Sequence, residues 1–352
     1  MILRRPKVRR FIPVVAALAI SIGALGFSRW QQDFGLTEQQ SGTTATLVAV
    51  SAVSEDVVWV AGQQGTFVRT TDGGATWKAG KVAGAERMQF RDVYAVDADT
   101  AYLLSIGNGS ASRIYKTANG GVDWTLQYTN PDTAAFYDCF DFWDADRGIV
   151  IGDAIQGRTI MLQTTSGGKT WEPIPYTSLP RALPGEGSYA SSGTCLIARS
   201  GGHAWVSTTK SRVLHTTNYG RTWTVATTPI SVVPDSTGAP SISMRDVRRG
   251  AVFGGFGAKP GDVLMAITND GGATWEDRRR PPIRGGVWAG AYVPGPQSTT
   301  IVVVGSTGSA FTRNEGTSWT LVDTAFYWGL DFASPNAGWA VGSRGRIVRF
   351  RF

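Results

Sequence analysis

The sequence predicts an all-β fold, a seven-bladed β-propeller closed by an N-terminal strand that completes the last blade. Three observations predict it. The pattern Thr-x-(Asp/Asn/Ser)-x-Gly-x-x-Trp occurs six times, with Trp-to-Trp steps of 47, 47, 52, 52 and 44 residues. Short β-rich runs precede each copy, giving four short strands per ~45-residue repeat, the signature of a propeller blade. A seventh unit is divided between the two ends of the chain.

Composition narrows the class. Of the 352 residues 42% are hydrophobic and only 17% charged, with 44 Gly and 13 Trp, so a large core can form and disorder is excluded. Two cysteines exclude a disulfide-stapled scaffold or a Cys-rich zinc fold, and two histidines argue against a His-based metal centre or triad. The formal charge is +7, yet Arg4, Arg5, Lys7, Arg9 and Arg10 all lie in the first ten residues. Without those five, the 34 cations and 27 acids leave +2, so the body offers no polyanion surface and no nucleic-acid partner is expected.

Residues 1–10 are basic and residues 12–27 apolar and uncharged, the n-region and h-region of an export signal. The apolar run is 16 residues, short of the ~20 that span a bilayer. A small-residue cleavage pattern is weak (Ala24-Leu25-Gly26), so a cleaved signal and a retained anchor both stand. Residues 1–27 are read as signal peptide or anchor and 28–352 as the propeller. The protein is then exported, either periplasmic or membrane-associated through residues 12–27, with the propeller outside the cytoplasm.

Each of the six motifs reads as a β-hairpin turn. The polar residue (Asp72, Asn119, Ser166, Asn218, Asp270 or Asn314) accepts hydrogen bonds from the turn backbone. Gly supplies positive φ. Trp77, Trp124, Trp171, Trp223, Trp275 and Trp319 are expected to be buried between sheets. The seventh blade lacks such a turn. Residues 326–338 align without gaps with 136–148, and the chain stops after three strands. Ser28-Arg29-Trp30 resembles Thr317-Ser318-Trp319 and is read as leading the missing outer strand. Closure of the ring removes exposed sheet edges.

The six turns resemble Asp-boxes, the bacterial neuraminidase repeat. The longer unit, as in residues 336–342 followed by a Gly turn, resembles the photosystem II stability/assembly-factor family of seven-bladed propellers. The resemblance covers nearly all of 28–352. It implies that the six Asp-box residues are structural and away from the ligand face. It also implies an assembly role, since plant and cyanobacterial members assist photosystem assembly. Asp-boxes occur equally in sialidases, other glycoside hydrolases and sorting receptors, so function must be argued from a site.

Chain order puts the inner-strand lead-in loops and the second-to-third-strand loops on the face opposite the six turns. Three carboxylates are expected to converge there: Asp138, Asp153 and Glu186, the last in an unusually long loop over 179–193. They read as an acid/base pair or a cation site, or else as turn caps. Arg91, Lys210, Arg212, Arg245, Arg280, Arg284 and Arg346 read as a patch for an anionic partner, or as ordinary surface charge. Tyr189, Trp288, Tyr327 and Trp328 read as interface anchors or blade packing. His203 and His215 fall on different elements toward the other face, so no metal is expected; no cofactor is expected either, and no phosphate-binding Gly loop occurs.

Alignment of blades three, four and seven puts Cys139 and Cys195 at one inner-strand position of adjacent blades. Equivalent Cα atoms in such a ring are roughly 5–7 Å apart, within disulfide range. A disulfide under the long loop and two buried thiols are the alternatives.

The expectation for function is a monomeric, non-enzymatic scaffold that binds a protein or peptide partner outside the cytoplasm. The alternative is a glycoside hydrolase using Asp138, Asp153 and Glu186. The Arg-Ile-Pro motif of sialidases is missing, since Phe11-Ile-Pro13 has no Arg in place.

Overall fold

The computed structural model describes Met1 and residues 34–232, 238–255 and 259–352. Within Phe34–Phe352 the strands form seven four-stranded antiparallel sheets, a seven-bladed propeller. The inner strands of blades one to seven are Leu47–Ala52, Phe90–Ala95, Tyr137–Phe142, Leu196–Arg199, Ser241–Met244, Ala289–Tyr292 and Gly329–Ser334. Residues 1–27 and Ser28-Arg29-Trp30, on which the export and closing-strand readings rest, lie outside the described residues apart from Met1.

The closing strand is Gly35–Gln40, which pairs antiparallel with Arg346–Arg351. Its register corrects the sequence expectation. Thr37 opposes Arg349 as Thr224 opposes His215, so Leu36 occupies the place of the turn Trp, six residues beyond Trp30. The physical reason is Gln39. Its Oε1 accepts from Trp77 Nε1 at 3.2 Å and Trp339 Nε1 at 3.1 Å, and its Nε2 donates to Gly73 O at 3.1 Å. One polar side chain thus pins blade seven to blade one.

The six turns fold as their residue types dictate. In the first, Thr70 Oγ1 donates to Asp72 Oδ1 at 2.7 Å and accepts from Gly74 N–H at 2.9 Å. Thr76 N–H donates to Asp72 Oδ1 at 2.9 Å, and Gly73 and Gly74 have φ of 67° and 84°. The turn Trp residues are less uniformly buried than expected. Trp77 and Trp171 are buried, while Trp124, Trp223, Trp275 and Trp319 are half-buried, because the ring sits at the disc perimeter beside the outer strand. Among the described residues the fully buried indoles are Trp59, Trp205 and Trp339, all on second strands. Each donates onward, Trp59 to Asp97 O at 3.0 Å and Trp205 to Gly271 O at 2.8 Å, with Trp339 reaching Gln39.

Inner strands are tied blade to blade by short polar side chains that replace missing sheet hydrogen bonds. Asp92 accepts from Val93 and Phe140 N–H, Asp141 from Phe142 and Ala198, and Asp331 from Phe332 and Ala52, all at 2.7–2.8 Å. Ser51, Ser241 and Ser243 make the equivalent contact to Ala95, Gly290 and Tyr292 at 3.1 Å.

Candidate functional site

Second-to-third-strand hairpins and blade-to-blade connections share one face, here the mouth face; the six Trp turns share the other. The channel below the mouth is small. A cavity of about 210 Å³ is lined by Asp92, Asp141, Asp331, Ser51, Ser243 and Tyr94 among others. Burial pushes Asp141 up to about 7 and Asp331 up to about 6, and Asp92 well above the usual carboxylate range. Arg199, itself desolvated, opposes the rise at Asp141 and Asp331.

The long loop covers that channel. Ser188 Oγ donates to Ser207 O at 3.0 Å, Arg91 Nη1 to Ala190 O at 3.4 Å, and Ser192 Oγ to Trp288 O at 3.1 Å. Gly193, at φ +73°, lies so close to Asp92 and Ala49 that a Cβ would strike the carboxylate. The loop therefore reaches blades one, two and six from its root between blades three and four. Cys139 and Cys195 lie under it, fully buried and joined by an S–S bond of 2.01 Å with Cα atoms 6.2 Å apart.

The three expected carboxylates do not form one reactive set. Glu186 is 6% exposed and fully engaged. It accepts from Thr208 Oγ1 at 2.7 Å, Leu183 N–H at 2.8 Å and Arg212 Nε at 2.9 Å, with a second, ion-paired contact to Arg212 Nη2. Its work is to brace the loop. Asp138 is 2% exposed, and its Oδ2 has no hydrogen-bond partner among the described residues. Burial first, then the charge of Asp153, pushes Asp138 well above the usual carboxylate range. Asp153 turns its carboxylate to the loop, accepting from Ser188 N–H at 3.2 Å, and desolvation raises it too.

What the mouth does present is an aromatic platform with one cation. The Arg91 guanidinium lies 4.9 Å over the Trp328 ring, and desolvation lowers its pKa. Trp328 packs against Trp288 at 4.3 Å, and Phe326 touches both at 5.6 and 5.1 Å. All four side chains are half-buried, as is Tyr189 on the loop. Past Phe326 the surface opens into a groove of about 900 Å³ that includes Glu38, Thr43, Arg344 and Arg346.

The remaining expected site residues divide. Lys210 lies beside the loop near Gly185. Arg280 donates to Lys259 O and, at 3.5 Å, to Asp262 O, and Arg284 is exposed; both lie in the connection from blade five to blade six. Arg346 pairs with Glu38 at 3.7 Å. The cations thus form separate groups. Arg245 is a correction. It follows inner strand Ser241–Met244 at the turn into the second strand, bonded to Asp246 and facing Glu315 of a Trp turn, so it lies on the opposite face. The match to Arg91 fails because Arg91 starts its strand while Arg245 ends one. Tyr327 is wholly buried and donates to Asp323 Oδ2 at 2.6 Å.

His203 Nδ1 and His215 Nε2 meet at 3.2 Å, cross-strand neighbours despite lying on different elements. Burial and His203 depress His215 to about 4. Among the described residues no three His, Cys, Asp or Glu side chains are grouped to hold a metal. Sequence reasoning missed Phe326, which the gapless alignment with Phe136 had flagged only as a repeat position, and the clamps Asp92, Asp141 and Asp331.

No family model and no curated protein matches the chain. Solved structures do. The chain is similar to "YCF48 bound to D1 peptide", at 17% identity and TM-score 0.60 over 91% of this chain and 97% of that one. It is similar to YCF48 from Cyanidioschyzon merolae, at 13% identity and TM-score 0.64 over 90% and 98%. It is also similar to the GH74 xyloglucanase from Xanthomonas campestris, at 13% identity and TM-score 0.61, covering 89% of this chain and 53% of that one. At such identities the likeness establishes the fold.

Proposed function

We propose that the chain is an exported, monomeric, non-enzymatic scaffold that captures an extended peptide of a protein partner at the mouth. The observation that carries this reading is the half-buried platform of Arg91, Trp328, Trp288 and Phe326, which continues into the groove at Arg344 and Arg346. Partly exposed Trp and Arg are the residue types that dominate binding energy at interfaces. A covered channel and a braced loop keep the platform rigid, which lowers the entropic cost of binding. The neighbour solved with a D1 peptide supports a peptide as ligand class, and the six turns support an Asp-box propeller of the assembly-factor type. Residues 1–27 supply the export signal or anchor in this reading.

A glycosidase reading finds less support. The xyloglucanase neighbour shares the fold, but Glu186 is tied to Arg212 and Asp138 is sealed from a glycan. The test pairs capture of exported and membrane partners by the wild type and by Trp288→Ala and Trp328→Ala with a glycan hydrolysis screen. Specific partners lost in both variants, and no hydrolysis, is the expected result. Hydrolysis abolished by Asp153→Asn would overturn the reading.

A further inference from the structure

Bulges in the inner strands single out one cation at the mouth. In blades one, two and three the pairing of the first two strands slips by one residue, at Leu47/Ala49, Phe90/Asp92 and Tyr137/Cys139. The extra residues are Val48, Arg91 and Asp138, and a bulge re-aims the side chain it frees. Val48 and Asp138 are buried, whereas Arg91 stays half-buried.

The Arg91 guanidinium has no counter-ion. Among the described residues no carboxylate lies within ion-pair distance of it. Its hydrogen bonds go to neutral acceptors, Gln89 Oε1 at 3.1 Å and Ala190 O at 3.4 Å, and its Nε–H is buried without a partner. Burial lowers its pKa, and no neighbouring acid opposes the shift. Other arginines drawn into the fold are answered: Arg212 by Glu186, Arg245 by Asp246 and Glu315, and Arg199 by the charges of Asp141 and Asp331. A partly desolvated cation without a partner is unfavourable, and an arriving anion removes that cost.

Donor counting and the surroundings define the anion. Nη1 and Nη2 each carry two N–H groups and each spends one, so one N–H of each nitrogen is left. The two oxygens of a carboxylate match such a pair of donors. Contact with the Trp328 ring at 4.9 Å holds the guanidinium in place, and Trp288 and Phe326 pack against that ring. The groove beyond Phe326 keeps the same sign, since its charged lining is Arg344 and Arg346 against Glu38 alone.

Resting on the peptide reading of the mouth, we propose that Arg91 selects the bound peptide by taking a carboxylate that directly adjoins a bulky apolar side chain. That side chain packs on Trp328, Trp288 and Phe326. The carboxylate comes from an Asp or Glu side chain or from the peptide's own C-terminus, the same anion from two sources.

The test is fluorescence anisotropy of the full chain with rhodamine-labelled Gly-Ser octapeptides. One carries an internal Phe-Asp step and a C-terminal amide, the second Phe-Asn with the same amide, and the third ends in Phe with a free carboxylate. At least one of the two carboxylate peptides should bind with Kd below about 1 mM, and the tighter of them names the source. The Phe-Asn peptide should bind at least roughly tenfold more weakly than that one. Arg91→Gln should erase the difference, and Arg91→Glu should prefer a Phe-Lys peptide. Arg221→Ala, exposed on the Trp-turn face, should change nothing. Phe-Asn bound as tightly as both carboxylate peptides, or a carboxylate preference that survives Arg91→Gln, would overturn the proposal. If Trp288→Ala and Trp328→Ala still abolish that equal binding, the mouth reading stands and the role of Arg91 falls. No binding of either carboxylate peptide at about 1 mM would also overturn it, and partner capture then decides the mouth reading by itself.

Discussion

Replacing Cys139 and Cys195 together by Ala removes a crosslink that closes a 56-residue separation. In the chain-entropy treatment a loop of that size restricts the unfolded chain by ~14 cal/mol/K, or about 4 kcal/mol at 25 °C. Both side chains are fully buried, so truncation adds a cavity cost of the same sign. Against typical total stabilities of ~5–15 kcal/mol, the loss is large. The effect should be strongest at blades three and four, where the crosslink underlies residues 188–193. The assay is guanidinium unfolding followed by Trp fluorescence, comparing oxidised wild type, reduced wild type and the double variant. Reduction should lower the midpoint and substitution should lower it at least as far, and hydrogen exchange should rise first in the loop. Equal midpoints for oxidised and reduced protein would refute the reasoning, as would two titratable thiols per unfolded, unreduced chain.

Other outcomes follow from the same contacts. Arg212→Ala leaves Glu186 buried and unpaired and should cost ~3–5 kcal/mol, read by chemical denaturation. Trp205→Ala should cost ~3–5 kcal/mol and Trp223→Ala clearly less, since only the first indole is fully buried; thermal melts order the two. Asp141 is pushed from 3.8 up to about 7, so the folded state binds more protons between those values. Its stabilising contribution is complete below pH 3.8 and is lost as pH rises through about 7; Asp141→Asn should flatten that limb of the stability–pH profile. Deleting Gly35–Gln40 unpairs the last blade and should lower the melting temperature, whereas an unchanged melt would contradict closure by this strand.

Much of the fold was readable because its determinants are local. A turn that needs an acceptor, a positive φ and a Trp repeats at fixed spacing, and that spacing counts blades. The closing strand has no such turn, and its register is carried by Gln39, whose bond to Trp339 spans 300 residues of sequence. The alignment that paired residues 326–338 with 136–148 already contained Asp331 and Asp141. Their role depends on the N–H of the following blade, which chain order alone does not locate. The site was legible in its face and poorly in its members. Glu186 looked reactive because Arg212 lies 26 residues on, with no pattern linking them. Arg245 was misplaced because one residue type at a strand start resembled the same type at a strand end.

The mouth is the proposed working surface of the propeller. A photo-reactive phenylalanine analogue at Tyr189 or Phe326, and at the exposed Ala75 or Ala273 of the Trp-turn face, tests it in the expressing cell. Irradiation should join the mouth positions to one polypeptide partner through a short contiguous peptide, with no adduct from Ala75 or Ala273. Adducts from the Trp-turn face alone, or equal labelling from both faces, would contradict the account.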